Sequence, residues 1–345
     1  MKALVKERPG KHNMRIMDVP DPVCGENEVI IATKALGWCG TDYHIYTGEY
    51  DTAFPVIIGH EFSGDIVEVG KNVKNRSIGD KVFVECSTYM SCGSCLHCRQ
   101  GTPMHCLNRS KYGLNRDGAC AEYVPMLPQY THIIPEGFTY EEMAIMEPVN
   151  VVYTGLLLNT RIEPDAFTVI IGPGPIGLLG LQMAKLYGAR HVVMVGIDND
   201  MAIRLPLAQE LGADTVLNAQ RDDVKAKILE LTEGLGADLV YEASGSEAGI
   251  QLAVDIVRRD GRIGAEGVPF YDVTVNWKKL INDAVIIRYN FSSNPLSWRN
   301  SLFPVKRRAI DLKKLISHKI HWHDWEKLCE ETAKGNVVKG VLTFE

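Results

Sequence analysis

From Val169 to Gly177 the chain reads VIIGPGPIG, a β-branched run entering a G-x-G-x-x-G turn that opens the helically spaced segment IGLLGLQMAKLYGA. The pattern requires strand, tight turn and helix in that order. Gly172 permits the turn, Gly174 lets a pyrophosphate approach the backbone, and Gly177 lets the helix pack on its strand; Pro175 and Ile176 belong to the same cofactor-facing turn. The helix start offers unpaired N–H groups and partial positive charge to an anion. Taken alone, the same residues also describe a glycine-rich turn in an ordinary βα unit.

The downstream sequence narrows the choice. A second apolar strand, HVVMVGI, ends in Asp198 about twenty residues further on. An acidic side chain there accepts hydrogen bonds from the adenosine ribose and repels a 2′-phosphate, so NAD is expected in preference to NADP. Asn199, not an arginine, comes next. Arg204 is close enough to join the cofactor-binding residues and to oppose that preference.

Beyond Asp198 strands and helices alternate: helical MAIRLPLAQELGA, strand TVLNA, helix VKAKILELTEG, strand DLVYEA, helix AGIQLAVDIVRR, strand GRIGAEG. Such alternation implies parallel pairing in a doubly wound sheet. Pro206, inside the first of these helices, is expected to kink it. Ahead of the glycine turn, short β-like runs (VIIATKAL, FSGDIVEVG, KVFVE) and turn residues indicate a smaller β-rich domain. At 345 residues the chain is long enough for two domains, and 46% hydrophobic with 23% charged residues is ordinary globular composition. A net charge of -6 gives nucleic acid no basic footprint. The absence of a signal-like N-terminus and of any long apolar run points to a soluble, cytoplasmic protein with no membrane partner.

Nine cysteines make a poor disulfide framework, and five of them fall in patterns better explained by metal. Cys92, Cys95, Cys98 and Cys106 follow C-x2-C-x2-C-x7-C, in a stretch (about 86–110) with little hydrophobic periodicity. Four thiolates so spaced suit a closed tetrahedral structural zinc that substitutes for a core; an iron–sulfur cluster is the competing reading. His97 and His105 are expected to be bystanders. A second, dispersed set consists of Cys39 in WCGTDYH, His60 and Glu61 in GHE, and Glu147 in MEP. A sulfur, an imidazole and a carboxylate leave a fourth position open, as a catalytic zinc needs, although lone cysteines and histidines more often have structural roles.

In their order along the chain, CGTDYH, GHEFSG, the four-cysteine lobe, MEP and GPGPIG resemble the zinc-dependent medium-chain dehydrogenases, over essentially the whole length. The likeness is strongest to the sorbitol (L-iditol) and L-threonine dehydrogenase branch, because Glu147 stands where alcohol dehydrogenases proper carry a second cysteine. The resemblance implies an α/β protein with a GroES-like catalytic domain over 1–150, a Rossmann NAD-binding domain over 151–290, and a segment 291–345 returning to the catalytic domain. It implies two zinc ions per chain, and a homo-oligomer, tetrameric by analogy or dimeric. Cys39 and His60 would hold the catalytic zinc throughout, Glu61 and Glu147 would share the carboxylate role, and Asp42 would orient His60.

The implied reaction is hydride transfer from a secondary alcohol of a polyol or similar small polar substrate to NAD. Thr41 and His44 match the family's proton relay, and Glu61 joins them at the catalytic site. L-threonine, a cyclitol or a sugar phosphate are the alternative substrates. Arg299, Lys306, Arg307 and Arg308 are candidates for a phosphate, with a solvated helix face as their plainer explanation. Two readings from outside the enzyme class remain: a catalytically silent nucleotide-binding protein of the same fold, and metal storage by His318, His321 and His323.

Overall fold

Val29–Trp38, VIIATKALGW, is buried along almost its whole length, which is the behaviour of a strand covered on both faces. It pairs antiparallel with Phe62–Val69, Tyr123–Met126 and Lys339–Thr343. These strands anchor a seven-stranded sheet, with Ile316–His321 at one edge lying parallel to Lys339–Thr343. A parallel pair needs a crossover, and helix Trp325–Ala333 supplies it. The computed structural model describes residues 1–86 and 91–345, and the chain divides into two units: Met1–Glu147 with Ile316–Glu345, and Pro148–Leu315. The core of the first packs Leu36, Ile45, Phe62 and Tyr112 against Trp325, Leu328 and Leu342 from the returning segment.

The second unit is built on six strands, all pairs parallel. In spatial order they are Thr215–Asn218, His191–Gly196, Phe167–Ile171, Ala237–Glu242, Val257–Ala265 and Ile286–Tyr289. The chain order reverses direction at Phe167–Ile171, the first strand of the unit, so the glycine turn after it stands at the carboxyl-end switch point of a doubly wound sheet. The α/β architecture anticipated from the alternating pattern is therefore present.

Two expectations are corrected. The chain rejoins the first unit at Ile316 and not at 291. Helix Pro295–Lys306 stays with the second unit because Asn294 N donates to Thr154 Oγ1 at 2.9 Å and Ser301 Oγ donates to Asn150 Oδ1 at 2.7 Å. Pro206 kinks nothing, since its helix begins only at Arg204 and a proline in the first turn needs no N–H partner. Arg299, Lys306, Arg307 and Arg308 are exposed on that C-terminal helix and the turn after it, a solvated face. Residues 87–90 at the start of the cysteine-rich stretch lie outside the described residues. No helix among the described residues is long and apolar enough to cross a membrane.

Candidate metal and cofactor sites

Cys39 stands at the N-cap of helix Gly40–Thr47, and His60 and Glu61 lie just ahead of strand Phe62–Val69. Gly37 N donates to Glu61 O at 2.7 Å and so ties the two segments together. Donor atoms of Cys39, His60 and Glu61 then lie within 4.8 Å of one another. Burial disfavours a charged His60, but the Asp42 carboxylate and the Cys39 sulfur outweigh it and hold the imidazole well above its ordinary pKa. That surplus of negative charge around one imidazole is what a bound divalent cation would neutralise. His60 Nδ1 and Asp42 Oδ1 are buried without hydrogen-bond partners among the described residues, 3.8 Å apart. Asp42 thus faces His60 by charge at a distance beyond a hydrogen bond, while its Oδ2 accepts from Cys39 N at 3.0 Å and fixes the helix start. A sulfur, an imidazole and a carboxylate converging this way fit zinc.

Glu147 lies in the first turn of helix Met146–Val152 and is not part of the 4.8 Å cluster. It lies within electrostatic reach: removal from water and then the Glu61 carboxylate push its pKa up to about 7. Motif reasoning missed Lys339. This fully buried lysine places Nζ 2.8 Å from Oε1 and 2.7 Å from Oε2 of Glu61, and donates to Trp38 O at 3.1 Å. A lone lysine inside the apolar run VVKGVLTF was its signal. Gly37 makes room for this arrangement, since a Cβ there would fall 2.3 Å from Glu61 Oε2.

Thr41 is partly exposed in the first turn of the same helix, and His44 follows on the same face. The His44 imidazole is bonded through Nδ1 to Glu49 Oε2 at 2.7 Å, and Glu49 also accepts from Thr47 Oγ1 at 3.0 Å. Glu49 is a second residue that no motif singled out.

In the cysteine lobe, Cys92, Cys95, Cys98 and Cys106 form the other convergent group. The Sγ–Sγ separations are 4.0 Å for Cys92–Cys98 and 3.5 Å for Cys95–Cys98. They bracket the ~3.8 Å edge of a tetrahedron with Zn–S bonds of about 2.3 Å. Backbone N–H groups of Ser94 and Cys95 lower the Cys92 thiol to about 6, whereas burial and the neighbouring Cys95 push Cys98 up to about 11. His97 and His105 pack against each other at 5.8 Å and do not join the ligand group. Nor do His318, His321 and His323 form such a group among the described residues, which removes the observation a storage role requires.

In the second unit Gly172 has φ +95, and a Cβ there would meet Ser244 N at 2.9 Å. Gly174 caps helix Pro175–Leu186 with open space where its Cβ would be, the room a pyrophosphate needs. Ile176 lies in the first turn behind Pro175. At Gly177 a Cβ would fall 1.9 Å from Gly172 O. Gly177→Ala is therefore expected to cost about 1–3 kcal/mol in urea unfolding and to weaken cofactor binding in titrations. Asp198 Oδ1 accepts from Asn218 Nδ2 at 2.7 Å and from Arg221 Nε at 2.6 Å. Arg204 instead turns to Asp200 Oδ1 at 3.0 Å, an i,i+4 pair, so the cation beside Asp198 is Arg221 and not Arg204.

Comparison with known proteins finds family matches in both parts of the chain. Residues 25–136 match the family described as alcohol dehydrogenase GroES-like domain, and residues 175–305 match the zinc-binding dehydrogenase family. The chain is 35% identical over 344 residues to a sorbitol dehydrogenase of Halalkalibacterium halodurans, covering 99% of each. It is 33% identical over 345 residues to a D-arabitol-phosphate dehydrogenase of Enterococcus avium, covering 99% of this chain and 97% of that protein. A solved Escherichia coli oxidoreductase/dehydrogenase of unknown specificity superposes with a TM-score of 0.91 at 29% identity, over 100% of this chain and 99% of that one. The chain belongs to the zinc-dependent medium-chain alcohol dehydrogenase family.

Proposed function

We propose that this enzyme oxidises a secondary alcohol of a polyol, with NAD as hydride acceptor and two zinc ions per chain, one catalytic and one structural. The observation that carries the reading is the convergence of Cys39, His60 and Glu61 in a family whose similar members include a sorbitol dehydrogenase. When bound, zinc lowers the pKa of a coordinated hydroxyl and the nicotinamide accepts a hydride. Cys39, His60 and a carboxylate, Glu61 with Glu147 in electrostatic reach, would hold the metal. Lys339 fixes Glu61 and so keeps the donor set in place. Thr41 accepts the substrate's hydroxyl proton and passes it toward His44, which Glu49 orients and whose partly exposed ring releases it to solvent. The carbon gives up a hydride and its oxygen a proton, leaving a ketone. Gly172, Gly174 and Gly177 with the helix start hold the pyrophosphate, and Asp198 takes the ribose hydroxyls.

The test is initial-rate NADH formation by the zinc-loaded protein with polyols, cyclitols, L-threonine and aldoses. A polyol is expected to lead, and a clear preference for L-threonine would overturn the polyol assignment. NAD is expected to be preferred over NADP. Arg221 already stands beside Asp198, so Asp198→Ala leaves a cation facing a 2′-phosphate and should move the NAD to NADP ratio of kcat/KM by about tenfold or more toward NADP. An unchanged ratio would remove Asp198 from cofactor selection.

A further inference from the structure

Asp198 follows strand His191–Gly196, and Arg221 follows Thr215–Asn218, the strand paired parallel to it with Asn218 opposite Gly196. Their loops leave the carboxyl ends of neighbouring strands, where a doubly wound sheet takes the adenosine end of a dinucleotide. Hydrogen bonds fix the turn that carries Arg221. Asn218 N donates to Asp222 Oδ2 at 2.7 Å, Gln220 N to Asn218 Oδ1 at 2.9 Å, Ala219 N to Gly196 O at 2.9 Å and Arg221 N to Asn218 O at 3.0 Å. Gln220 Oε1 accepts from Asp198 N at 2.8 Å and so ties one loop to the other. Asn218, 4% exposed, joins them again from below: its Oδ1 holds the turn and its Nδ2 donates to Asp198 Oδ1.

Within this frame Arg221 uses one donor. Its Nε meets Asp198 Oδ1 at 2.6 Å, whereas neither Nη group has a hydrogen-bond partner among the described residues, and the side chain is 60% exposed. Asp198 is divided in the same way: Oδ1 accepts both bonds, from Asn218 and Arg221, and Oδ2 accepts none among the described residues. Each member of the pair thus keeps what one form of the cofactor needs. Oδ2 can accept from a ribose hydroxyl, and the Nη edge of the guanidinium can bind an anion carried on that ribose. Arg221, and then Asn218, hold Asp198 below the ordinary carboxylate range, so the pair is ionised near neutral pH. Opposite charges this close largely cancel at the range of a bound phosphate. The repulsion that a lone aspartate exerts on a 2′-phosphate is therefore offset in place.

We propose that Arg221 sets cofactor specificity: its guanidinium masks the charge of Asp198 and binds the 2′-phosphate, so that NADP serves as a second hydride acceptor with kcat/KM within about tenfold of that with NAD. This rests on the dehydrogenase reading above and deepens its account of cofactor choice, which becomes a property of the pair and not of Asp198 alone. The planar fork of an arginine suits two oxygens of one phosphate, and Nη1 and Nη2 are the donors that the contact with Asp198 leaves open.

The test measures NADH and NADPH formation by the zinc-loaded full chain on its best alcohol, and calorimetric binding of AMP and of adenosine 2′,5′-bisphosphate, which differ only in the 2′-phosphate. The native chain should bind the two nucleotides within about tenfold of each other. Arg221→Gln removes the cation and uncovers the carboxylate, so the bisphosphate-to-AMP affinity ratio and the NADP-to-NAD ratio of kcat/KM should fall together by about tenfold or more, with Arg221→Lys keeping part of each. The gain for NADP expected of Asp198→Ala should disappear when Arg221→Gln is added, a coupling that a merely structural arginine does not produce. Ratios unmoved by Arg221→Gln, or an Asp198→Ala gain that survives it, overturn the role of Arg221 and leave the dehydrogenase intact. So does a native preference for NAD of about 100-fold or more, because Asp198 then acts unmasked. If no alcohol is oxidised with either cofactor, the dehydrogenase reading fails. Calorimetry then decides Arg221 separately: a bisphosphate-to-AMP ratio lowered by Arg221→Gln supports it, and an unmoved ratio or no nucleotide binding overturns it.

Discussion

Cys39→Ser is expected to reduce bound zinc from about two ions per chain to about one and to lower kcat/KM on the best polyol by ~10³-fold or more, a loss of about 4 kcal/mol in transition-state stabilisation. A serine hydroxyl does not ionise near neutral pH and so replaces an anionic sulfur ligand with a neutral oxygen. The fold should survive the change. Cys39 is the N-cap of helix Gly40–Thr47, with its N–H held by Asp42, and serine is among the preferred residues at that position. Loss of activity with an unchanged melting temperature of the metal-free protein would therefore report on metal chemistry and not on unfolding. Metal analysis of the native chain also separates the enzyme from a silent nucleotide-binding protein. One zinc per chain with no turnover would support the silent protein, whereas two, one lost with Cys39, would exclude it. Full turnover by a folded, zinc-depleted Cys39→Ser protein would end the proposed mechanism.

The parts of the site readable in the sequence are those whose residues are close together along the chain. The glycine turn needs nine residues, and its geometry is set by where a Cβ does not fit, at Gly177 above all. The four cysteines span 15 residues, and their sulfurs meet because no competing core directs that lobe elsewhere. Arg204 obeys a local rule of helix spacing. It stands four residues after Asp200 on a helix start, and pairs there instead of reaching Asp198. The residues that escaped prediction are held by pairings that only the closed fold creates. Arg221 reaches Asp198 because parallel strands His191–Gly196 and Thr215–Asn218 end side by side. The segment 291–315 carries no periodicity that says which unit it joins, and hydrogen bonds to the side chains of Thr154 and Asn150, the second of them buried, tie it to the second unit.

Lys339 is the extreme case, 278 residues along the chain from Glu61, and its replacement should have the largest effect on stability. The ammonium side chain is 4% exposed and the carboxylate 1%, so Lys339→Met leaves a buried carboxylate without its counter-ion. Breaking such a pair from one side costs about 3–5 kcal/mol, although removing both charges is often close to neutral. Urea unfolding of the metal-free protein should therefore show Lys339→Met strongly destabilised. Lys339→Met with Glu61→Gln should recover most of the loss, with a coupling of at least ~2 kcal/mol between the two sites. Zinc enters the same balance. If Glu61 belongs to the catalytic donor set, the cation supplies the positive charge that Lys339 no longer provides. Added zinc should then raise the melting temperature of Lys339→Met more than that of the native chain, and this excess should vanish when Cys39 is also replaced. A Lys339→Met protein within about 1 kcal/mol of native stability would mean that the Glu61 carboxylate is not held as a buried anion, and it would transfer the ligand role to Glu147.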